Sequence, residues 1–328
     1  MLIKKIFVCE FITGGGLCGE PLPDGLAKEG ALMRDALLRD LNDLPYQIST
    51  SIDERLAKPT LFSECVVIKK NDDVLDIWQK QIAAADAVFI VAPETDGILH
   101  KLTQMANLQG KLVLGCGLDS IKICSEKMAT YLALDAANIG CIPTHTYQDW
   151  QASHWIWLAK PNDGAGCSDT VCFNNPDDLK DWIEDNHKQY SHVIQAFQPG
   201  DAASVSCVMR HGKARLLSCN TQIIDINNHK LSYIGGIING MRDYWPQFEF
   251  LANKIAQSLP DLAGYVGIDV IVDDDEIIVV EINPRFTTSY IALRESIAAN
   301  PAELIINTLI NTDFVWPSLQ RNMVNVHV

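Results

Sequence analysis

The feature that most constrains this chain is an acidic hairpin pattern at residues 265–290. Two runs rich in valine and isoleucine flank a turn of acidic residues, which is typical of two antiparallel strands. Asp269 interrupts the first run, and Glu281 and Asn283 interrupt the second. Because strand side chains alternate between the two faces of a sheet, Glu281 and Asn283 point the same way.

The direction of Asp269 depends on the length of the turn. A three-residue loop at 274–276 sets Asp269 opposite Glu281, and one at 273–275 sets the two on a diagonal. Both arrangements put all three oxygen-bearing side chains on one face, whereas a two-residue loop puts Asp269 on the other face. Three oxygens on a rigid hairpin suit a hard cation such as Mg²⁺, which also takes phosphate oxygens. Since buried acids need partners, we predict a cation site rather than a structural hairpin.

Arg285 follows the hairpin directly, and its planar guanidinium is suited to phosphate or carboxylate. An aspartate on one strand and Glu-x-Asn-Pro-Arg on the next resemble the metal hairpin of the ATP-grasp superfamily. The resemblance implies that Asp269, Glu281 and Asn283 hold Mg²⁺ (or Mn²⁺) against the phosphates of ATP. It also implies that Arg285 is catalytic and binds the γ-phosphate or an acyl phosphate.

The composition limits the class of protein. A chain of 328 residues, 48% hydrophobic and 20% charged, fits a soluble globular protein of two or three domains. A formal net charge of −15 argues against nucleic acid and against anionic membranes as partners. Ten cysteines without a C-x-x-C pair favour reduced thiols. With no apolar run of membrane-spanning length and a start too short for a signal peptide, we expect a cytoplasmic protein.

The first third of the chain alternates predicted strands and helices, which indicates an open parallel sheet. Ligands of such sheets bind beyond the carboxyl ends of the strands, where Glu10, Thr13 and Glu94 fall. Three consecutive glycines at 14–16 follow the first strand. They either bring backbone amides close to an anion or form a flexible loop.

Two lysines of the middle region fit the same family. Lys127 lies in the first turn of a predicted helix capped by Ser125, where a cation opposes the helix dipole. Lys160 ends a predicted strand before a glycine-containing loop at 162–168. In ATP-grasp enzymes the corresponding lysines and loop bind nucleotide phosphates. The resemblance therefore assigns Lys127 and Lys160, with Gly164, Gly166 and Cys167 of the loop, to ATP.

Residues 192–207 resemble the strand that lines the adenine and ribose pocket of this superfamily. Gln195 stands where a glutamate is usual, and its amide oxygen can accept a hydrogen bond from the adenine amine. Backbone groups of Ala196 and Phe197 are expected at the adenine edge. The glutamate that usually binds ribose falls on Ala202. Asp201 is one residue away and replaces it only if the strand shifts.

The remaining substrate residues come from shorter motifs. Asn220 and Gln222 follow a predicted strand, and by the resemblance they face the metals; they can equally be polar residues of a strand end. The residues around Glu10 and the stretch 285–290 look like the tyramine–glutamate ligase group of methanofuran biosynthesis. By that resemblance the substrate contacts are Glu10, Thr13, Gly15 and Thr288.

The combined expectation is an α/β protein with an ATP-grasp fold and an N-terminal Rossmann-like pre-ATP-grasp domain. The predicted domains are residues 1–118, a lid lobe at 119–200, and a C-terminal lobe at 201–328. The predicted activity is an ATP-dependent carboxylate–amine ligase that forms an amide through an acyl phosphate. The alternatives are another carboxylate-phosphorylating ATP-grasp enzyme and a non-catalytic nucleotide-binding protein. A homodimer is also expected from the resemblance.

Overall fold

The computed structural model of the protein describes residues 3–153, 156–164, 169–227, 230–274 and 276–327. Its N-terminal part is a five-stranded parallel sheet in the order β3-β2-β1-β4-β5, flanked by helices. The elements of this part are β1 (Lys5–Glu10), a π-helical turn (Ile12–Gly16), α1 (Asp24–Asn42), β2 (Gln47–Asp53), β3 (Glu64–Ile68), α2 (Val74–Ala84), β4 (Ala87–Val91), a 3-10 turn (Thr95–Gly97), α3 (Ile98–Leu108) and β5 (Leu112–Val113). The predicted parallel sheet is confirmed.

The rest of the chain builds a second sheet of ten strands, in the order β14-β13-β10-β11-β12-β8-β7-β9-β6 with β15 on β12. Its elements are α4 (Leu118–Cys124), α5 (Lys127–Ala136), β6 (Thr144–His145), β7 (Trp157–Pro161), β8 (Val171–Phe173), α6 (Pro176–Asp185), β9 (His192–Ala196), β10 (Asp201–Arg210), β11 (Lys213–Asn227), β12 (Lys230–Ile238), a 3-10 turn (Arg242–Tyr244), α7 (Trp245–Ser258), β13 (Gly264–Asp273), β14 (Glu276–Asn283), α8 (Tyr290–Ile297), α9 (Pro301–Ile310) and β15 (Val324–His327).

The backbone pair of Lys230 with Val171 joins the two halves of this second sheet. The half formed by β6 to β9 has its own small core, built around Trp150 and Trp157 with Leu179 and Ile183 of α6. A lobe with a core of its own is able to move relative to its neighbours.

The other half of the second sheet packs against the N-terminal domain. One apolar core contains Phe7 of β1 together with Val266 of β13. Another contains Leu37 of α1 together with Leu293 of α8. These shared cores fix the hairpin β13–β14 relative to the carboxyl ends of the first sheet.

Local sequence signals set most helix ends. Asn175 and Asn300 cap α6 and α9, each accepting a hydrogen bond from a backbone N–H of the first turn, as their sequences predict. The prediction that Ser125 caps α5 is wrong, because its hydroxyl donates to the carbonyl of Ile121 at 2.7 Å instead. Pro246 lies in the first turn of α7, where its missing N–H costs nothing.

All nine cysteines within the described residues are free thiols. In the same part of the chain, no helix has the length and apolar character needed to cross a membrane.

Candidate active site

The hairpin β13–β14 brings Asp269 directly opposite Glu281. Asp273 pairs with Glu276, so only two residues separate the strands. A regular ladder from that turn would pair Asp269 with Val280 and turn it away from Glu281. A β-bulge at Val280 shifts the register by one residue and restores the pairing. The predicted common face is present, but the bulge produces it and the predicted three-residue loop does not.

Asp269 is the centre of a polar network. The Gln222 amide donates to its Oδ1 at 2.8 Å, and the Asn283 amide donates to its Oδ2 at 3.0 Å. Burial, and then the charge of Glu281, raise the pKa of Asp269 from 3.8 to about 8. Two facing carboxylates with little solvent need a shared proton or a cation. The hairpin therefore has the charge distribution of a cation site.

The donor set at this hairpin fits a hard cation. No group of three or more His, Cys, Asp or Glu side chains within the described ranges is arranged to hold a metal. A cation bound here would have the carboxylates of Asp269 and Glu281 and the amide oxygen of Asn283, which leaves coordination positions for phosphate oxygens. That is the pattern of Mg²⁺ at nucleotide sites.

Lys127 joins the hairpin to the glycine-containing loop. It begins α5, and its Nζ donates to the Gly164 carbonyl at 2.9 Å and lies 3.9 Å from Oε2 of Glu281. Its backbone N–H donates to the Asn162 carbonyl at 2.9 Å. These elements surround a small cleft that opens to solvent. The cavity is lined by Glu94, Cys124, Lys127, Thr130, Gly164, Val280, Glu281, Ile282 and Asn283. Gly166 and Cys167 lie outside the described residues.

Lys160 and Gln195 share one face of the lid sheet. Trp157 and Ile194 pack in the small core, so alternation turns Lys160 and Gln195 to the opposite face. The Gln195 amide nitrogen donates to the Thr144 hydroxyl at 2.8 Å. Its Oε1 is buried and has no hydrogen-bond partner among the described residues. A buried acceptor without a donor fits a ligand that supplies an N–H, such as the adenine amine.

The structure gives less support to the predicted contacts of Ala196 and Phe197 with adenine. The Phe197 N–H donates to the Ile156 carbonyl at 3.0 Å, so it is used inside the fold. Ala196 packs against the small aromatic core. The contact of Ala196 and Phe197 with adenine therefore stays a prediction, and it would have to use backbone groups other than the Phe197 N–H.

Asp201 does not occupy the predicted ribose position. It pairs with Val272, and the ladder between β10 and β13 continues without a shift. Ser204 lies opposite Asp269, so Ala202 shares the site face and Asp201 faces away. The strand shift on which the role of Asp201 depended is absent.

Arg285 is held from the N-terminal domain. Its Nε donates to Oε2 of Glu94 at 2.7 Å; the Glu94 side chain is buried and the Arg285 side chain is partly buried. One terminal nitrogen donates to the Phe286 carbonyl at 3.0 Å, and the other lies 3.4 Å from Oδ1 of Asn283. Glu94 follows β4 and reaches the same cavity as the hairpin. The guanidinium is thus fixed beside the predicted cation ligands.

The structure packs Glu10, Thr13 and Gly15 inside the fold, and the substrate role of these residues stays a prediction. Glu10 and Thr13 are 2% and 0% exposed, and the Glu10 carboxylate accepts the N–H and hydroxyl of Thr13. The Arg34 guanidinium also donates to the Thr13 hydroxyl, at 2.8 Å. Gly15 has φ +104°, and a Cβ there would meet Ile68 at 2.6 Å. The turn is therefore a packed structural unit whose anion is Glu10 itself.

Asn220 is also a structural residue, whereas Thr288 stays near the site. The Asn220 amide lies within 3.2 to 3.4 Å of the hydroxyls of Ser204, Ser206 and Ser289, and is 1% exposed. The Thr288 side chain lies near the Tyr233 hydroxyl. Asn220 therefore supports the strands beneath Asp269, while Gln222 contacts Asp269 itself.

Sequence reasoning did not predict that Glu94 holds Arg285 or that the charge of Glu29 acts on it. Glu94 had a signal, because it follows a buried parallel strand at the rim where ligands bind. Glu29 lies in a helix, without a motif around it. The approach of both to Arg285 comes from the contact between the N-terminal domain and the second sheet, which short motifs do not encode.

Comparisons with known proteins agree with this architecture. Residues 124–289 match the ATP-grasp domain family, and residues 46–121 match the pre ATP-grasp 3 domain family. The chain is 30% identical to tyramine–L-glutamate ligase of Methanocaldococcus jannaschii, over 95% of this chain and 92% of that protein. A crystal structure of an ATP-grasp superfamily protein from Archaeoglobus fulgidus superposes with a TM-score of 0.70 at 23% identity, covering 98% and 99% of the two chains.

The biotin carboxylase domain of Hydrogenobacter thermophilus 2-oxoglutarate carboxylase, solved with MgADP, ADP and bicarbonate, superposes with a TM-score of 0.76. Its identity is 13%, and the match covers 98% of this chain and 73% of that one. The matched domains and the long relative show that the chain belongs to the ATP-grasp family of ligases.

Proposed function

We propose that this protein is an ATP-dependent carboxylate–amine ligase that joins L-glutamate to an aromatic amine such as tyramine, as in methanofuran-type cofactor biosynthesis. The observation that carries the proposal is that Lys127, Glu281 and Asn283 line one cleft, where Asp269 pairs with Glu281 and Arg285 lies 3.4 Å from Asn283. The substrates are suggested by the name of the relative from Methanocaldococcus jannaschii. The fold neighbour that holds MgADP supports the choice of nucleotide and metal.

Each side chain then has a chemical role. Lys127, Lys160 and the loop at Gly164 bind phosphates, and Gln195 accepts a hydrogen bond from adenine. Mg²⁺ held by Asp269, Glu281 and Asn283 would neutralise phosphate charge. Arg285 stabilises the charge that develops when the substrate carboxylate is phosphorylated.

The reaction balances in two steps. A carboxylate oxygen attacks the γ-phosphorus, so the bond from that phosphorus to ADP breaks and an acyl phosphate forms. The amine, after losing a proton, attacks the acyl carbon; a C–N bond forms, phosphate leaves and a further proton is released. Positioning and exclusion of water from the acyl phosphate supply much of the rate.

The experiment is an ADP-release screen over amino acids and amines, starting with L-glutamate and tyramine. We expect ADP and amide to form in equal amounts, only when ATP, Mg²⁺, acid and amine are all present. Glu281→Ala and Arg285→Ala should abolish amine-dependent ADP release while the melting temperature shows an intact fold. Phosphate release without any amine, or bound ATP without turnover, would refute the ligase assignment.

Two properties of the whole molecule belong to the same proposal. Free thiols at the nine described cysteines suit a reducing cytoplasm. The biotin carboxylase neighbour was solved as a dimer, and we propose a homodimer for this chain. Light scattering coupled to size-exclusion chromatography tests this, and a mass near 36.3 kDa would refute it.

A further inference from the structure

The helix α5, which begins at Lys127, is capped by a residue distant in the sequence. Within the described residues, the side chain of Glu126 at its N-cap position accepts no hydrogen bond from the first turn. Asn162, which follows β7, supplies the acceptors instead. Its carbonyl accepts the Lys127 N–H at 2.9 Å, and its Oδ1 accepts the Met128 N–H at 3.0 Å. The first N–H groups of a helix have no partner inside the helix, so these two bonds order the first turn of α5.

Asn162 is also fixed to the sheet that carries Lys160. Lys160 lies in β7, which pairs with β9, and the Asn162 N–H donates to the Ser191 carbonyl at 2.8 Å just before β9 begins. The side chain of Lys127 returns to the same segment, where its Nζ donates to the Gly164 carbonyl at 2.9 Å. Asn162 therefore connects the helix that starts with Lys127 to the strand that contains Lys160.

We propose that Asn162 is a positioning residue for nucleotide binding, which holds Lys127 in place relative to Lys160 before the nucleotide arrives. This rests on the phosphate-binding roles proposed above for the two lysines. A first turn that is already ordered needs no further ordering when the phosphates bind, whereas a frayed turn must be ordered by the ligand. The free energy of this helix cap therefore contributes to nucleotide affinity through Lys127.

The test measures the Kd of MgADP by isothermal titration calorimetry in Asn162→Ala, with Asn175→Ala as the matched control. Asn175 caps α6 in the same way, because its Oδ1 accepts the Asp177 N–H at 2.9 Å. The helix α6 packs on the small core, on the face of the sheet away from Lys160. We expect both variants to lower the melting temperature, because each loses one cap. Asn162→Ala should also raise the Kd of MgADP about 3- to 30-fold, the range for a lost cap, and Asn175→Ala should leave it unchanged.

A double-mutant cycle tests whether Asn162 acts through Lys127. Lys127→Met should weaken MgADP binding on its own. Adding Asn162→Ala to it should then change the Kd less than about twofold, because the side chain that Asn162 positions is already gone. In Lys160→Met, by contrast, Asn162→Ala should keep its full effect. Asn162→Ser shortens the side chain but keeps a hydroxyl acceptor, and it carries the same comparison if Asn162→Ala does not fold.

The outcomes separate this role from the proposed function. A wild-type Kd for MgADP in Asn162→Ala, or an equal rise of the Kd in Asn175→Ala, would overturn the role of Asn162. Additive effects of Asn162→Ala and Lys127→Met would also overturn it, because the two residues would then act independently. If the wild-type protein bound no MgADP, the proposed function would fail and the role of Asn162 with it. If the wild-type protein bound MgADP but formed no amide, only the ligase reaction would be refuted.

Discussion

The Nε of Arg285 lies 2.7 Å from Oε2 of Glu94, and this buried ion pair connects the hairpin of the second sheet to the rim of the first. Its two partners are 191 residues apart in the chain. An arginine placed this way is oriented before substrate arrives, which is how a fixed charge assists a developing one. The position of the N-terminal domain thereby determines the geometry of Arg285, the predicted catalytic residue of the C-terminal lobe.

We expect Glu94→Gln to lower kcat about tenfold or more and to leave the KM for ATP within about threefold, because the amide keeps the hydrogen bond to Arg285 but loses the charge. Steady-state kinetics and the melting temperature measure this. Glu64→Gln removes the partner of an exposed ion pair with Lys5 and is the control, since surface pairs contribute little. Unaltered kcat in Glu94→Gln would show that Arg285 needs no partner in the N-terminal domain.

We expect the facing carboxylates of Asp269 and Glu281 to lower the stability of the metal-free protein and to be required for activity. Asp269→Asn removes one of two facing carboxylates, so in EDTA the melting temperature should rise by about 1–3 °C. With Mg²⁺ and ATP the same variant should lose more than about 100-fold in kcat and most of the ligand-induced stabilisation. Asp273→Asn, exposed at the end of the same hairpin, should change neither quantity. A less stable Asp269→Asn protein in EDTA would argue against electrostatic strain in the pair.

The pKa of Asp269 also predicts a dependence on pH. Folding raises this pKa from 3.8 to about 8. Between these two pH values, the folded protein therefore keeps a proton that the unfolded chain releases. The contribution to stability is full below the unfolded pKa and is lost as pH rises through the folded one. Between about pH 4 and 8, in EDTA, the wild type should therefore lose stability relative to Asp269→Asn. Saturating Mg²⁺ should remove this pH dependence, because the cation replaces the proton. A stability difference between wild type and Asp269→Asn that stays constant with pH in EDTA would contradict the prediction.

The hairpin shows how far the sequence could predict this site. Its apolar alternation identified both strands and the common direction of Glu281 and Asn283. The position of Asp269 depended on the turn, and every loop length considered assumed a regular ladder. The structure has a two-residue connection and a bulge at Val280. Nothing in the residue types around Val280 marks a bulge, because valine fits regular and bulged positions alike.

The glycine turn after β1 is a region whose contacts could not be predicted from the sequence. The sequence showed amides and glycines that resembled a ligand loop, but not which anion those amides would meet. In the fold, the Glu10 carboxylate turns back onto the turn, and Arg34 of α1 closes the group from the other side. The partners are 21 residues apart on separate elements, so their contact depends on the packing of α1.

Nucleotide selectivity should depend on Gln195. Its buried Oε1 has no described partner, and an adenine amine supplies a donor there whereas the guanine carbonyl does not. We expect Gln195→Leu to reduce the preference for ATP over GTP about tenfold, while Gln195→Glu keeps it. Competition of the two nucleotides in the ADP-release assay measures this. Gln151→Leu, an exposed position of the same lobe, is the control, and an unchanged preference in Gln195→Leu would place the adenine elsewhere.

Thr13 should prove structural rather than substrate-binding. Its hydroxyl lies between the buried Glu10 carboxylate and the Arg34 guanidinium, so Thr13→Val removes one hydrogen bond from each of them. Losing such a hydroxyl costs about 1–3 kcal/mol, and we expect a lower melting temperature with the KM values of acid and amine unchanged. Thr60→Val, at an exposed position, should alter neither. A raised KM at an unchanged melting temperature would instead show that this turn binds substrate. A residue that only supports the fold should change the KM only if it also changes the melting temperature.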